Sequence, residues 1–94
     1  MDESLKRQVR IMKKRREEMG FTQTDVAEEA GITLQQYQNF EYGKRKIANS
    51  STILALRICA ALELDPYELV FENGRDFIKR IRDGMKYRRN VHFV

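Results

Sequence analysis

"FTQTDVAEEAGITLQQYQNFEYGKRK", residues 21–46, decides the fold. Its punctuation is that of two short helices joined at a glycine. Thr22 stands three residues before Asp25, and Thr33 three before Gln36. Both are capping-box spacings, in which the threonine hydroxyl and the third side chain satisfy free backbone N–H groups reciprocally. Gly31 closes the first helix and Gly43 the second, where a left-handed residue favours the absence of a Cβ. Val26, Ala27 and Ala30 form the apolar side of the first helix, and Tyr37 and Phe40 that of the second.

On a wheel of about 100° per residue, Tyr37, Phe40, Glu41 and Thr33 share the inward face of the second helix. Gln35, Asn39 and Tyr42 share the outward face, flanked by Gln36 and Gln38. Outward neutral amides are an unusual choice, since solvated helix faces are more often Glu and Lys. A Gln or Asn side chain carries donors and an acceptor together and matches N6 and N7 of adenine in a bidentate pair. Lys44, Arg45 and Lys46, directly after Gly43, would then lie over phosphates, which supply affinity but no sequence information. The plainer reading of the amides is a polar face with nothing to read.

The flanking segments are helical as well. Leu5, Val9, Met12 and Met19 fall near helical spacing with basic residues between them, giving an amphipathic helix over 3–18 stopped by Gly20. A loop, "KRKIANS", leads to a fourth helix capped by Asn49, Ser50 or Ser51. Its Ile53, Leu54, Leu56, Ile58, Ala61 and Leu62 make it apolar on most sides, so it is expected to form the buried centre of the domain. In "DPYELVF", Asp65 is a cap, Pro66 the first helical residue and Glu68 the third.

With 94 residues and 41% apolar content, the chain suits one core and is too apolar for disorder. No stretch nears the length of a membrane span, and the N-terminus is charged at once; neither a span nor a secretory signal is expected, and the chain is expected in the cytoplasm. Cys59, beside Ile58, Ala60 and Ala61, reads as a small buried hydrophobe and not a reactive thiol. Charge is segregated. Residues 1–16 hold seven Lys/Arg against two acids, 17–74 hold four against ten, and 75–94 hold seven against two. Basic ends and a Lys44–Lys46 cluster point to a polyanion met by discrete patches, or to ordinary solvated faces. There is no glycine-rich phosphate loop, no Cys/His cluster and no nucleophile beside a base; His92 is solitary, and Glu17–Glu18 and Glu28–Glu29 diverge on their helices. No enzyme, cofactor or metal site is expected.

In order and spacing, Thr22-Gln23, Val26-Ala27, Gly31 and Glu41-Tyr42-Gly43-Lys44-Arg45 resemble the helix-turn-helix of the phage-repressor, Cro-type family. The next helix and "LELDPYELVF" resemble that family's fourth and fifth helices. The resemblance implies an all-α, compact five-helix lambda-repressor-like domain over residues 1–72, followed by an extension over 73–94. It implies a sequence-specific DNA-binding transcriptional regulator, a homodimeric repressor on double-stranded DNA that reads the major groove with the helix at 33–42. Leu34, Gln35, Gln36 and Asn39 would read bases, with Leu34 either touching a thymine methyl or closing the turn against Ile32. Thr22, Gln23, Thr33, Gln38, Tyr42, Lys44, Arg45 and Lys46 would meet the DNA backbone. Arg16 would pair with Glu41 as a structural ion pair behind the recognition helix. The loop after Gly43 is longer than is common in the family, and the recognition face carries fewer cations.

The tail reads separately. Phe77, Ile78 and Ile81 repeat at helical spacing until Gly84. Met85, Tyr87, Val91 and Phe93 then alternate with polar residues, with Arg89 interrupting, in the period of a strand. A lone strand leaves its backbone unsatisfied. The same strand of a second copy, antiparallel across a two-fold axis, is the expected partner, with Phe77, Ile81, Tyr87, Val91 and Phe93 as dimer contacts. The alternatives are a mobile basic tail, an antitoxin-type regulator gripping a partner protein through the tail, or a protein-interaction module whose Gln35, Asn39 and Tyr42 contact protein.

Overall fold

The computed structural model describes residues 1–70. The dimer contacts expected at Phe77, Ile81, Tyr87, Val91 and Phe93 lie outside the described residues. The described chain is all-helical: α1 Glu3–Glu18, α2 Gln23–Ala30, α3 Leu34–Glu41, a 3-10 turn Ile47–Asn49, α4 Thr52–Leu62 and α5 Pro66–Val70. None of these helices is long and apolar enough to cross a membrane.

Local chemistry sets the boundaries. Thr22 Oγ1 accepts from the Asp25 N–H at 3.1 Å, while the Thr22 N–H donates to Asp25 Oδ2 at 2.8 Å. Thr33 and Gln36 repeat the exchange at 3.0 and 2.9 Å. Each cap stabilises its helix by about 1 kcal/mol. Asp2 caps α1 through the Leu5 N–H at 2.7 Å, and Ser51, of the three candidates, caps α4 through the Leu54 N–H at 3.2 Å. Arg15 ties α1 to the end of α4, donating to the Leu62 carbonyl at 2.8 Å and pairing with Glu63 at 3.1 Å.

Gly43 meets two demands. Its φ is +76°, and a Cβ there would come within 2.9 Å of Met1 Sδ and 3.1 Å of Val9 Cγ2. The start of α1 therefore packs directly under the turn that ends α3. Gly31, at φ +69°, faces open space and is needed only for its handedness.

The core gathers Met12, Val26, Tyr37, Phe40, Ile47, Ile58 and Leu62 from every layer, with α2 packed against both α3 and α4. The longer loop after Gly43 winds into the 3-10 turn and drops Ile47 into this core. Two expectations are corrected. α4 is not buried on most sides: Ile53 is 66% and Leu56 49% exposed, and the buried stripe is Ala55, Ile58, Cys59, Ala61 and Leu62. Among the described elements, α2 packs on α4 most extensively, with α1 and α5 also against it. Thr33 is exposed, not inward, because as N-cap its backbone is extended and leaves the helical wheel. Burial pushes the Cys59 thiol up to about 11, with Asp65 adding to it, so the sulfur stays protonated and inert at neutral pH.

Candidate nucleic-acid interface

The candidate surface is built from behind. Arg16 Nε donates to Glu41 Oε1 at 2.8 Å, and Arg16 Nη1 to the Phe21 carbonyl at 2.9 Å. The Glu41 side chain is 2% exposed and that of Arg16 14%. Burial works against the Arg16 charge, but the Glu41 carboxylate more than offsets it and holds the guanidinium above its ordinary pKa. The nearby Tyr37 hydroxyl is buried without a hydrogen-bond partner among the described residues; burial, then the Glu41 charge, pushes its pKa up.

Glu41 Oε2 accepts from Gln23 Nε2 at 2.5 Å. Gln23 Oε1 in turn accepts from Gln38 Nε2 at 3.0 Å and from the Tyr42 hydroxyl at 3.2 Å. A continuous chain of bonds thus runs from the buried ion pair of α1 and α3, through the first residue of α2, to the surface of α3. It fixes the angle at which α3 is presented.

A second anchor was not legible as a site residue. Gln8 is 4% exposed. Its Nε2 donates to the carbonyls of Phe40 at 3.0 Å and Arg45 at 2.9 Å, and its Oε1 accepts from the Ile47 N–H at 2.9 Å. One amide therefore holds both sides of the basic loop. The available signal was its position: Leu5, Gln8 and Met12 share one helix face, so a polar group there must find partners inside.

The outward face of α3 carries Leu34 (40% exposed), Gln35 and Gln36, with Asn39 half-buried beside them. Gln35 Nε2 donates to Asn39 Oδ1 at 2.9 Å, so the two amides are arranged as one unit across a turn. Gln35 Oε1, its second N–H and the Asn39 amino group remain free of that bond, which leaves acceptor and donors side by side. Gln36 spends its carbonyl on the Thr33 cap and keeps only its amino group. Thr22 and Thr33 use their hydroxyl oxygens in capping. Lys44 and Arg45 are exposed, the Arg45 guanidinium 5.3 Å from the Phe40 ring centre. Lys46 is half-buried, and its ammonium lies 2.8 Å from Asp2 Oδ2. Lys13, which the sequence did not single out, lines a groove between α1 and α3 together with Val9, Arg16, Gln23, Glu41 and Tyr42.

Two short helices joined at Gly31, the second bolted from behind and open in front with a basic loop at its end, define a helix-turn-helix. The Helix-turn-helix family model matches residues 12–69, and the chain belongs to that family in its Cro-type form. It is a DNA-binding transcription regulator, and its family is not one of enzymes. No curated protein and no solved structure matches the chain at a significant level.

Proposed function

We propose that the chain is a homodimeric repressor that reads the major groove with α3. One observation carries this reading: the Gln35–Asn39 pair is preset at 2.9 Å on the outward face, while Tyr37, Phe40 and Glu41 of the same helix are buried behind it. Free amide donors and an acceptor complement adenine N7 and N6, and a bidentate pair discriminates by about 1–3 kcal/mol. Leu34 stands ready for a thymine methyl. Lys44, Arg45 and the surface at Tyr42 and Lys13 suit phosphates. Gln23, with three bonds already made, serves chiefly to position Gln38 and Tyr42. Two copies across a two-fold axis would address a palindrome with half-sites about 34–36 Å apart.

Selection from a random duplex library, read by sequencing, tests this. One short palindrome should be enriched, and binding to it should fall with salt at a log–log slope of about −0.9 per neutralised phosphate. A single unrepeated half-site would remove the homodimer. No enrichment, with binding to some protein that ignores salt, would instead favour an interaction module on the same scaffold.

A further inference from the structure

We propose that Asp2 is an intramolecular competitor of DNA phosphate: it holds Lys46 away from the backbone and so lowers affinity for DNA without altering the choice of sequence. This rests on the DNA-binding reading above.

The geometry makes Asp2 a fixed group and not a wandering surface partner. One carboxylate oxygen, Oδ1, accepts from the Leu5 N–H at 2.7 Å as the cap of α1. The other, Oδ2, meets the Lys46 ammonium at 2.8 Å. Met1 lies against Gly43, which brings the start of α1 onto the basic loop. The Lys46 contact and the Leu5 N–H hold the Asp2 carboxyl below the usual carboxylate range, so it stays charged at neutral pH. Among the described residues, no ion pair to an acid is found for Lys44 or Arg45, the two cations beside Lys46.

A phosphate that recruits Lys46 must displace an acid already seated on it. If Lys46 stays, the loop offers two cations and not three; if it leaves, the Asp2 carboxylate is left facing a polyanion. Both routes cost affinity on every sequence alike, because phosphate contacts carry no base information.

The substitution Asp2→Asn isolates the effect, since asparagine caps a helix as well as aspartate does. Glu3→Gln is the control: it removes one negative charge from the same turn, but Glu3 pairs with Lys6 at 3.5 Å and not with the loop. Affinity for a mixed-sequence duplex is measured against salt for the full chain, with melting temperatures to show that each variant is folded. Asp2→Asn should bind roughly three- to tenfold more tightly near 0.1 M salt, with a slope steeper by about 0.9. Glu3→Gln should gain clearly less, and with Lys46→Gln added the Asp2→Asn gain should shrink to the level of Glu3→Gln. Equal gains from Asp2→Asn and Glu3→Gln, or an Asp2→Asn gain that persists in full with Lys46→Gln, would overturn the proposal while leaving DNA binding intact. Salt-independent or absent DNA binding by the unaltered chain would overturn the DNA-binding reading, and this proposal with it.

Discussion

Replacing Arg16 with methionine should cost about 3–5 kcal/mol of folding stability, because it strands a buried carboxylate. Glu41 is 2% exposed and would keep only the Gln23 amide as donor. The Phe21 carbonyl would lose its Arg16 donor as well. Small domains are stable by about 5–15 kcal/mol in total, so much of the fold's margin would go. Urea unfolding followed by far-UV circular dichroism measures the loss. The double replacement Arg16→Met/Glu41→Leu should recover a large part of it, since a buried ion pair exchanged for apolar packing is often near neutral. A single-variant loss below about 1 kcal/mol would mean that water reaches Glu41 and that the pair does not bolt α3 to α1.

The second large effect is expected at Gln8. Gln8→Leu fits the apolar face of α1 but leaves the Arg45 carbonyl and the Ile47 N–H without their partner, and the Phe40 carbonyl with only the Gly43 N–H. With about 1–3 kcal/mol for each buried group left unmade, and some relief by water at Arg45, the loss is on the order of 2 kcal/mol. The consequence for function is specific. The loop holding Lys44 and Arg45 loses its clamp, so affinity should fall on all duplexes alike under conditions where the variant is folded. Gln8→Glu separates the two sides of the clamp: it keeps an acceptor for Ile47 but removes the donor to Phe40 and Arg45. Stability close to the unaltered chain in both variants would show that the loop is held by Ile47 packing alone.

What could be read from the sequence was the chemistry that is local in the chain. Thr22 with Asp25, Thr33 with Gln36, and the glycines at 31 and 43 each declare themselves within four residues, and helix boundaries followed from them. Burial was legible where a helix has a polar side to contrast with, as in α3. It was misread in α4, because an apolar side chain such as Ile53 does not say whether any element comes to cover it. Contacts between distant segments cannot be read from local pattern, and the Arg16–Glu41 pairing is implied only by the family resemblance. Gln8 reaches residues 32 to 39 positions away, and nothing in its own neighbourhood names Phe40 or Ile47 as partners. Lys46 reads in the sequence as a third cation of the loop, and nothing near it announces the ion pair with Asp2. The family resemblance implies that Gln23 bonds a phosphate and helps fix the recognition helix; its bonds to Glu41, Gln38 and Tyr42 engage it within the protein, and no local pattern names those three partners.

The most direct test of base reading by α3 is one comparison at a single salt concentration: affinity for the selected site and for a scrambled duplex, with and without Gln35→Ala/Asn39→Ala. The expected result is that the variant loses about 1–3 kcal/mol per amide pair on the selected site while its binding to scrambled DNA is unchanged. A variant that keeps the full preference for the selected site would contradict it, and the amide face of α3 would then belong to some other contact.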